Sequence, residues 1–288
     1  MDSLTLAHNV RVDVIKMVHD GFAPHVGSAL SIVDILAVLY SEVMHIDPKK
    51  PKDNNRDRFV LSKGHAGAAV YATLAECGFF DKEKLKTYYQ NGSVFSGHVS
   101  HKGVPGIEAS TGSLGHGFAM ACGMAMALKL QEIDNKVYVI VGDGELDEGQ
   151  CYETIINAPK YGLDNFTVIV DRNRLQAMGK CEDIVPSFDI ENEFKSHGFT
   201  VITVDGHDHQ ALLDAFNADF EGRPKCIVAN TIKGKGISFM EDNLLWHYKS
   251  PQGEMYDKAI AELECRSENG CSATVGCVDK KRFKGAIR

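Results

Sequence analysis

Gly142-Asp143-Gly144-Glu145, with Asn173 further along, is the part of this 288-residue chain that speaks most directly of chemistry. The apolar, β-branched run Val137–Val141 leads into the first group, and Phe166–Val170 leads into Asp171-Arg172-Asn173. Each run predicts a buried strand. Parallel strands would deliver a carboxylate and an amide oxygen to the carboxyl edge of one sheet, where open α/β sheets bind ligands. One carboxylate and one amide make a poor cage for a metal on their own. They suit a Mg²⁺ that completes its coordination with a diphosphate and water. Gly144 leaves room for backbone amides to approach a phosphate. A helix predicted over Gln150–Tyr161 starts just beyond, and a helix N-terminus favours anions. Singly, Asp143 and Asn173 also read as ordinary turn residues; it is their pairing behind matched strands that favours the metal–diphosphate reading.

Histidines form a second group. His25, His65, His98, His101, His116 and His247 all fall in Gly- or Pro-rich turns. Several such residues in separate strand-end loops suggest a polar pocket able to bind phosphate or hydroxyl groups and move protons. Zinc is the rival, but His98-Val99-Ser100-His101 and His207-Asp208-His209 have no cysteine partners at zinc spacing. Ser110-Thr111-Gly112-Ser113-Leu114-Gly115-His116-Gly117 resembles a phosphate cradle without matching Gly-x-Gly-x-x-Gly or the Walker A pattern. Glu148 and Glu153 flank the start of a helix, where they either complement its dipole or serve as shared-proton acids at an interface. Cys265, Cys271 and Cys277 are evenly spaced, which does not match a tetrahedral zinc module, and read as incidental thiols.

These residues need a scaffold, and the pattern supplies one. Helical periodicity covers Leu4–Asp20, with Val10, Val14, Met17 and Val18 on one face. Ser31 and Asp34 suggest a capping box for a second helix. Arg58–Ser62 is strand-like, the Gly- and His-rich stretch 97–123 precedes a helix over Met124–Leu130, and further strands are predicted at Thr200–Val204 and Cys226–Asn230. Helices over Gln150–Tyr161 and His209–Phe220 separate the later strands. Such alternation predicts a doubly wound, mostly parallel α/β sheet with helices on both faces. The domain is expected to span residues 1–264, with a loosely ordered tail over 265–288. A net charge of -8 argues against nucleic-acid binding. No apolar run is long enough to cross a bilayer. The N-terminus lacks the basic and apolar regions of a signal peptide. Eight scattered cysteines without a Cys-x-x-Cys fit free thiols, so a cytoplasmic protein is expected.

Together these residues resemble the N-terminal, diphosphate-binding domain of transketolase, a thiamine-diphosphate enzyme, from about Leu4 to about Ala261. Gly142-Asp143-Gly144 with Asn173 looks like the thiamine-diphosphate fingerprint. Leu61-Ser62-Lys63-Gly64-His65, Ser110–Gly115 and Gly142–Gln150 are similar to transketolase strings. The resemblance implies that Asp143, Asn173 and the Leu175 carbonyl hold Mg²⁺. It implies that His65 and His247 contact the diphosphate, and that Gly112, Ser113 and Leu114 contact the cofactor. Gly144 and Glu145 would lie beside the phosphates, and Asn173 would serve cofactor as well as metal. His25, His65, His98 and His247 would handle protons on the substrate, and Glu148 matches an acidic position at a subunit interface. Departures are His116 in place of Gln, Arg174 where Gly is common, and Ala23-Pro24-His25-Val26-Gly27 in place of Gly-His-Pro-Gly. The resemblance also implies a second, pyrimidine-binding domain that brings an activating glutamate, while the cofactor carries the carbanion chemistry. The expectation is therefore the N-terminal subunit of a split transketolase. A separate C-terminal subunit would complete a heterotetramer that moves a two-carbon ketol unit from a ketose phosphate to an aldose phosphate. The alternatives are a thiamine enzyme with a 2-oxo acid donor such as pyruvate, and a binding subunit that has lost its chemistry.

Overall fold

Five strands pair side by side, all parallel, in the order β1-β2-β3-β5-β4. They are β1 (Arg58–Leu61), β2 (Val137–Gly142), β3 (Phe166–Arg172), β4 (Thr200–Asp205) and β5 (Lys225–Asn230). The computed structural model describes residues 1–185, 189–219 and 222–268. The central strands are buried almost end to end, as expected for a parallel sheet covered on both faces. β4, at the edge, is only half-buried and keeps Thr200 and Thr203 in its run.

Alternation along the strands divides the interior into two cores. Tyr138, Ile140, Ile169 and Ile227 point to one face, where α1 (Ser3–Gly21), α2 (Val26–Ser31), α3 (Val33–Val38) and α4 (Gly67–Glu76) pack with α9 (His209–Asn217) and α10 (Glu254–Glu268). Val137, Val139, Val141, Val168 and Val170 point to the other, against α5 (His116–Leu130), α6 (Gly149–Lys160) and α8 (Ile190–His197). A short helix, α7 (Cys181–Ile184), lies in the connection after β3. The doubly wound expectation holds, and so do the predicted strands to within a residue or two.

α1 forms as its sequence dictates. Asp2 caps it by accepting the Thr5 amide at 2.9 Å, its apolar stripe is buried, and Phe22 ends it at a φ of 50°. Two expectations are corrected. Ser31 and Asp34 are not a capping box: the Ser31 hydroxyl donates to Ser28 O at 3.1 Å and to Asp171 Oδ2 at 2.7 Å, and Asp34 faces Arg11, His207 and His209. Both residues are buried, and their long-range partners outweigh a local cap. α5 begins at His116 rather than Met124, because Gly115 in the left-handed region starts the helix early and buried Gly117 packs on Ser62. α10 continues to Glu268. Phe220, Cys271, Cys277 and the tail beyond Glu268 lie outside the described residues.

The residues around Asp34 lock the β4–α9 turn to α1 and α3. Asp34 is 4% exposed, accepts from His207 Nδ1 at 2.7 Å and His209 Nε2 at 3.0 Å, and pairs with the Arg11 guanidinium. The second ring nitrogen of His207 accepts the Ile232 amide at 2.8 Å, which fixes its tautomer and anchors the loop after β5. Asp34→Ala strands the Arg11 charge in the interior. It is expected to lower unfolding free energy by about 3 kcal/mol, read from urea midpoints; a loss within error of zero would show that water reaches the cluster.

Candidate functional site

All five strands end on one edge, and their turns converge there. Asp171, the next-to-last residue of β3, is fully buried and acts as the hub. It pairs with the Lys63 ammonium from the turn after β1. It accepts Ser31 Oγ from α2 at 2.7 Å and Asn173 Nδ2 at 2.9 Å, and is bonded by the Thr231 hydroxyl after β5. Burial alone would push its carboxyl up, but Lys63 and the bonded hydroxyls hold it below the ordinary range. Neither Asp171 nor Lys63 is among the sequence-derived site residues.

The structure brings the three expected metal ligands into one loop system. Asp143 accepts the Gly144 amide at 2.8 Å and the Arg174 amide at 2.5 Å. Asn173 Oδ1 accepts the Leu175 amide at 3.0 Å. This loop needs a left-handed residue, and Arg174 supplies it at a φ of 62°, which explains why glycine would be natural there. Burial, then the charge of Asp171, pushes the Asp143 carboxyl up to about 6. A buried carboxylate held beside another is chemically short of a cation. Its neighbours are an amide oxygen and a backbone carbonyl, the hard donors that Mg²⁺ takes. Among the described residues no group of three or more His, Cys, Asp or Glu side chains is arranged to hold a metal, so the donor set is not a zinc-type cluster.

Four histidines gather beside this loop. His25 lies 5.2 Å from His65, 5.6 Å from His98 and 5.1 Å from His247, measured between ring centroids, and His65 and His247 are 5.5 Å apart. His25 itself sits in the left-handed region at a φ of 75° before α2, and its amide donates to His247 O at 2.8 Å. Such strain in a bulky residue collects at functional sites. His247 is buried, His25 and His65 partly so, and His98 is exposed. Burial first, then neighbouring His98, Lys233 and Lys63, pushes the His25 imidazole down to about 4. Burial, Lys233, His25 and Lys63 push His247 down to about 3. His65 lies well below its ordinary range by burial and by Lys63, and His98 is lowered by burial. The cluster is neutral at pH 7. The Nδ1 atoms of His25 and His247 are buried without a protein hydrogen-bond partner, as suits groups that meet a ligand.

Lys233 completes the charge pattern. It is 1% exposed, and its ammonium donates to Leu175 O at 3.0 Å and Gln176 O at 3.1 Å. Burial and Lys63 lower it to about 8. Two buried lysines thus lie beside the neutral histidines, Lys63 paired with Asp171 and Lys233 bonded to backbone carbonyls. Lys233 is also missing from the sequence-derived site residues, since Thr231-Ile232-Lys233-Gly234 reads simply as a strand end. A lysine set in an apolar strand-end turn is the signal that could have found it.

The cradle and the acid next to it have different roles. Gly112 faces the His98 ring, which a side chain added there would touch, so the cradle borders the cluster at Gly112. Ser110, Thr111, Gly112, Ser113, His116 and Gln150 line a recess of about 470 Å³ on the cradle's outer side. The Glu145 carboxylate points inward, accepting Ser62 Oγ at 2.5 Å, the Gly115 amide at 2.8 Å and the Gly142 amide at 2.9 Å, so the protein itself takes up this side chain. The space beside Gly144 is filled by the Gln176 side chain.

The histidine cluster sets an acid limb. Unfolded histidine titrates near 6.5, whereas folded His25 and His247 resist protons down to about 4 and about 3. As pH falls through that window the unfolded chain takes up protons that the folded chain refuses, so stability falls. The double variant His25→Gln/His247→Gln should show a shallower fall in urea midpoint between pH 7 and pH 5 than the native chain. An unchanged slope would place the acid sensitivity elsewhere.

Residues 3–254 match the family described as transketolase, thiamine diphosphate binding domain. The chain is 39% identical over 260 residues to an apulose-4-phosphate transketolase subunit from Phocaeicola vulgatus, covering 90% of this chain and 92% of that protein. It is 42% identical over 242 residues to the 6-deoxy-6-sulfo-D-fructose transketolase subunit of a Clostridium species, covering 83% of this chain and 88% of that one. Among solved structures, Campylobacter jejuni transketolase superposes with a TM-score of 0.83 at 33% identity, covering 90% of this chain and 42% of that one. Leishmania mexicana transketolase gives 0.84 at 30% identity, with 92% and 41% covered. The chain thus spans about two fifths of the length of these solved enzymes.

Proposed function

The chain belongs to the transketolase family, as its thiamine-diphosphate-binding part, and from that premise we propose that it is the diphosphate-binding subunit of a split transketolase. The assembled enzyme moves a two-carbon ketol unit from a ketose phosphate to an aldose phosphate. A separate C-terminal subunit supplies the pyrimidine-binding half, and the two kinds of chain form a heterotetramer. The observation that carries this reading is that the Asp143–Asn173–Leu175 loop is bonded to Asp171 and Lys233, and that Lys233 and the Asp171-paired Lys63 lie close enough to the histidines to oppose their protonation.

Asp143, Asn173 and the Leu175 carbonyl would hold Mg²⁺, with His65, His247 and Lys233 toward the diphosphate. The backbone of Gly112, Ser113, Leu114, Gly144 and Glu145 would border the cofactor. Thiamine diphosphate, when bound, supplies the nucleophilic carbon that accepts and passes on the ketol unit. This chain's part is to bind, orient and move protons. Neutral His25, His98 and His247 can donate to or accept from a sugar hydroxyl, and fixed donors in a dry site stabilise a developing alkoxide. The intact metal loop argues against a subunit without chemistry. The relatives named above act on sugars and do not favour the pyruvate alternative.

A partner is supported by α5. Its outward face carries Met120, Gly123, Ala127 and Leu130, with Ile156 of α6 exposed nearby, where a solvated helix would show charge. Exposed Glu148 stands beside this face, against Gly115, as an interface acid would. No helix among the described residues is long and apolar enough to cross a membrane. Cys77, Cys122, Cys151, Cys181 and Cys226 are free thiols, which supports a reducing, cytoplasmic setting.

The test is to purify the chain alone and with the product of the neighbouring reading frame. Ketol transfer from xylulose 5-phosphate is expected only from the assembly; transfer by the lone chain sinks the two-chain reading. In calorimetry of the assembly, Asp143→Ala should weaken thiamine diphosphate binding in Mg²⁺ by at least about tenfold, the scale of one lost charged interaction. Equal binding by variant and native protein would refute the metal assignment.

A further inference from the structure

One aromatic ring stands at the opening of the histidine cluster without a role in the scaffold. Tyr248 is 65% exposed, yet its ring centroid lies 4.8 Å from His247 and 6.5 Å from His25. The chain on either side is pinned. Trp246 is buried and its indole donates to Phe239 O at 3.0 Å, Ser250 Oγ donates to Val18 O at 2.7 Å, and Gln252 Nε2 donates to His19 O at 2.9 Å. A fixed backbone therefore presents a large apolar face beside the two imidazoles whose inner nitrogens are unpartnered. An exposed tyrosine is unremarkable in itself; its position against the reactive cluster is what calls for a reason.

We infer that Tyr248 is a specificity-determining residue whose ring forms an apolar wall for the carbon chain of the sugar. The inference rests on the ketol-transfer reading. The reacting carbonyl end of a ketose belongs among His25, His98 and His247. The remainder of the chain must leave the cluster past an exposed neighbour, and among the described residues Tyr248 is the exposed aromatic within ring distance of both His25 and His247. The C–H face of a sugar packs on an aromatic ring, while its hydroxyls keep polar partners. A short ketose ends before the ring; a longer one lies against it.

The experiment compares the native assembly with Tyr248→Ala and Tyr248→Phe, using erythrulose as the short donor and fructose 6-phosphate as the long one. Tyr248→Ala should raise KM for fructose 6-phosphate about fivefold, the scale of one aromatic contact, with kcat unchanged. Its KM for erythrulose should stay at the native value, and Tyr248→Phe should keep native values for both donors. Affinity for thiamine diphosphate, measured by calorimetry, should not move in either variant. An equal rise for both donors, no change for either, or an effect confined to recovery of the partner subunit each overturns the inference. Failure of the native assembly to use either donor overturns the functional reading itself, before any variant is compared.

Discussion

The ion pair between Asp171 and Lys63 holds the site together. Both groups are buried, and removing two charges from water is costly unless their attraction and further hydrogen bonds offset it. Here Ser31, Asn173 and Thr231 supply those bonds, each from a different part of the chain. One carboxylate thus ties α2, the turn after β1, the loop after β3 and the turn after β5 to a single point. His65, Asn173 and Lys233 each lie two residues along from Lys63, Asp171 and Thr231. Fixing the hub therefore constrains the functional side chains two residues away.

The hub also shapes the electrostatics. Asp171 offsets Lys63, so the charge that remains toward the histidines comes mainly from Lys233, opposite the carboxylate of Asp143. The imidazoles respond by staying neutral: burial and the lysines both oppose their protonation. A neutral imidazole can accept a proton from a hydroxyl, whereas a charged one could only donate. The same positive surroundings that suit a diphosphate thus leave the histidines in the form that proton exchange with a sugar requires.

Much of the fold is legible in the sequence because its signals are local. The β-branched runs before Asp143 and Asn173 predict strands by composition alone, and parallel order follows from the helices between them. The Asp143–Asn173 pairing is legible for the same reason, since both sit directly behind strong strands. What sequence does not show is long-range. Asp171 and Lys63 look like a strand residue and a turn residue until the sheet brings them together. Ser31 and Asp34 have capping-box spacing, yet Asp171, Arg11 and two histidines take their side chains. Ser62 and two backbone amides hold the Glu145 carboxylate inward, a set of partners that no spacing in the sequence announces.

The distribution of these contacts bears on how such an enzyme could exist as two chains. The described partners of Asp171 come from this chain, as do both cores. What it leaves exposed is different in kind: the apolar outer face of α5, the hydroxyl-lined recess beside the cradle, and the open side of the cluster at His98 and Tyr248. Dividing a polypeptide between halves removes a tether, and a tether contributes mainly effective concentration. An interface with an apolar centre can replace that contribution, whereas a split through the Asp171 network would strand buried charges.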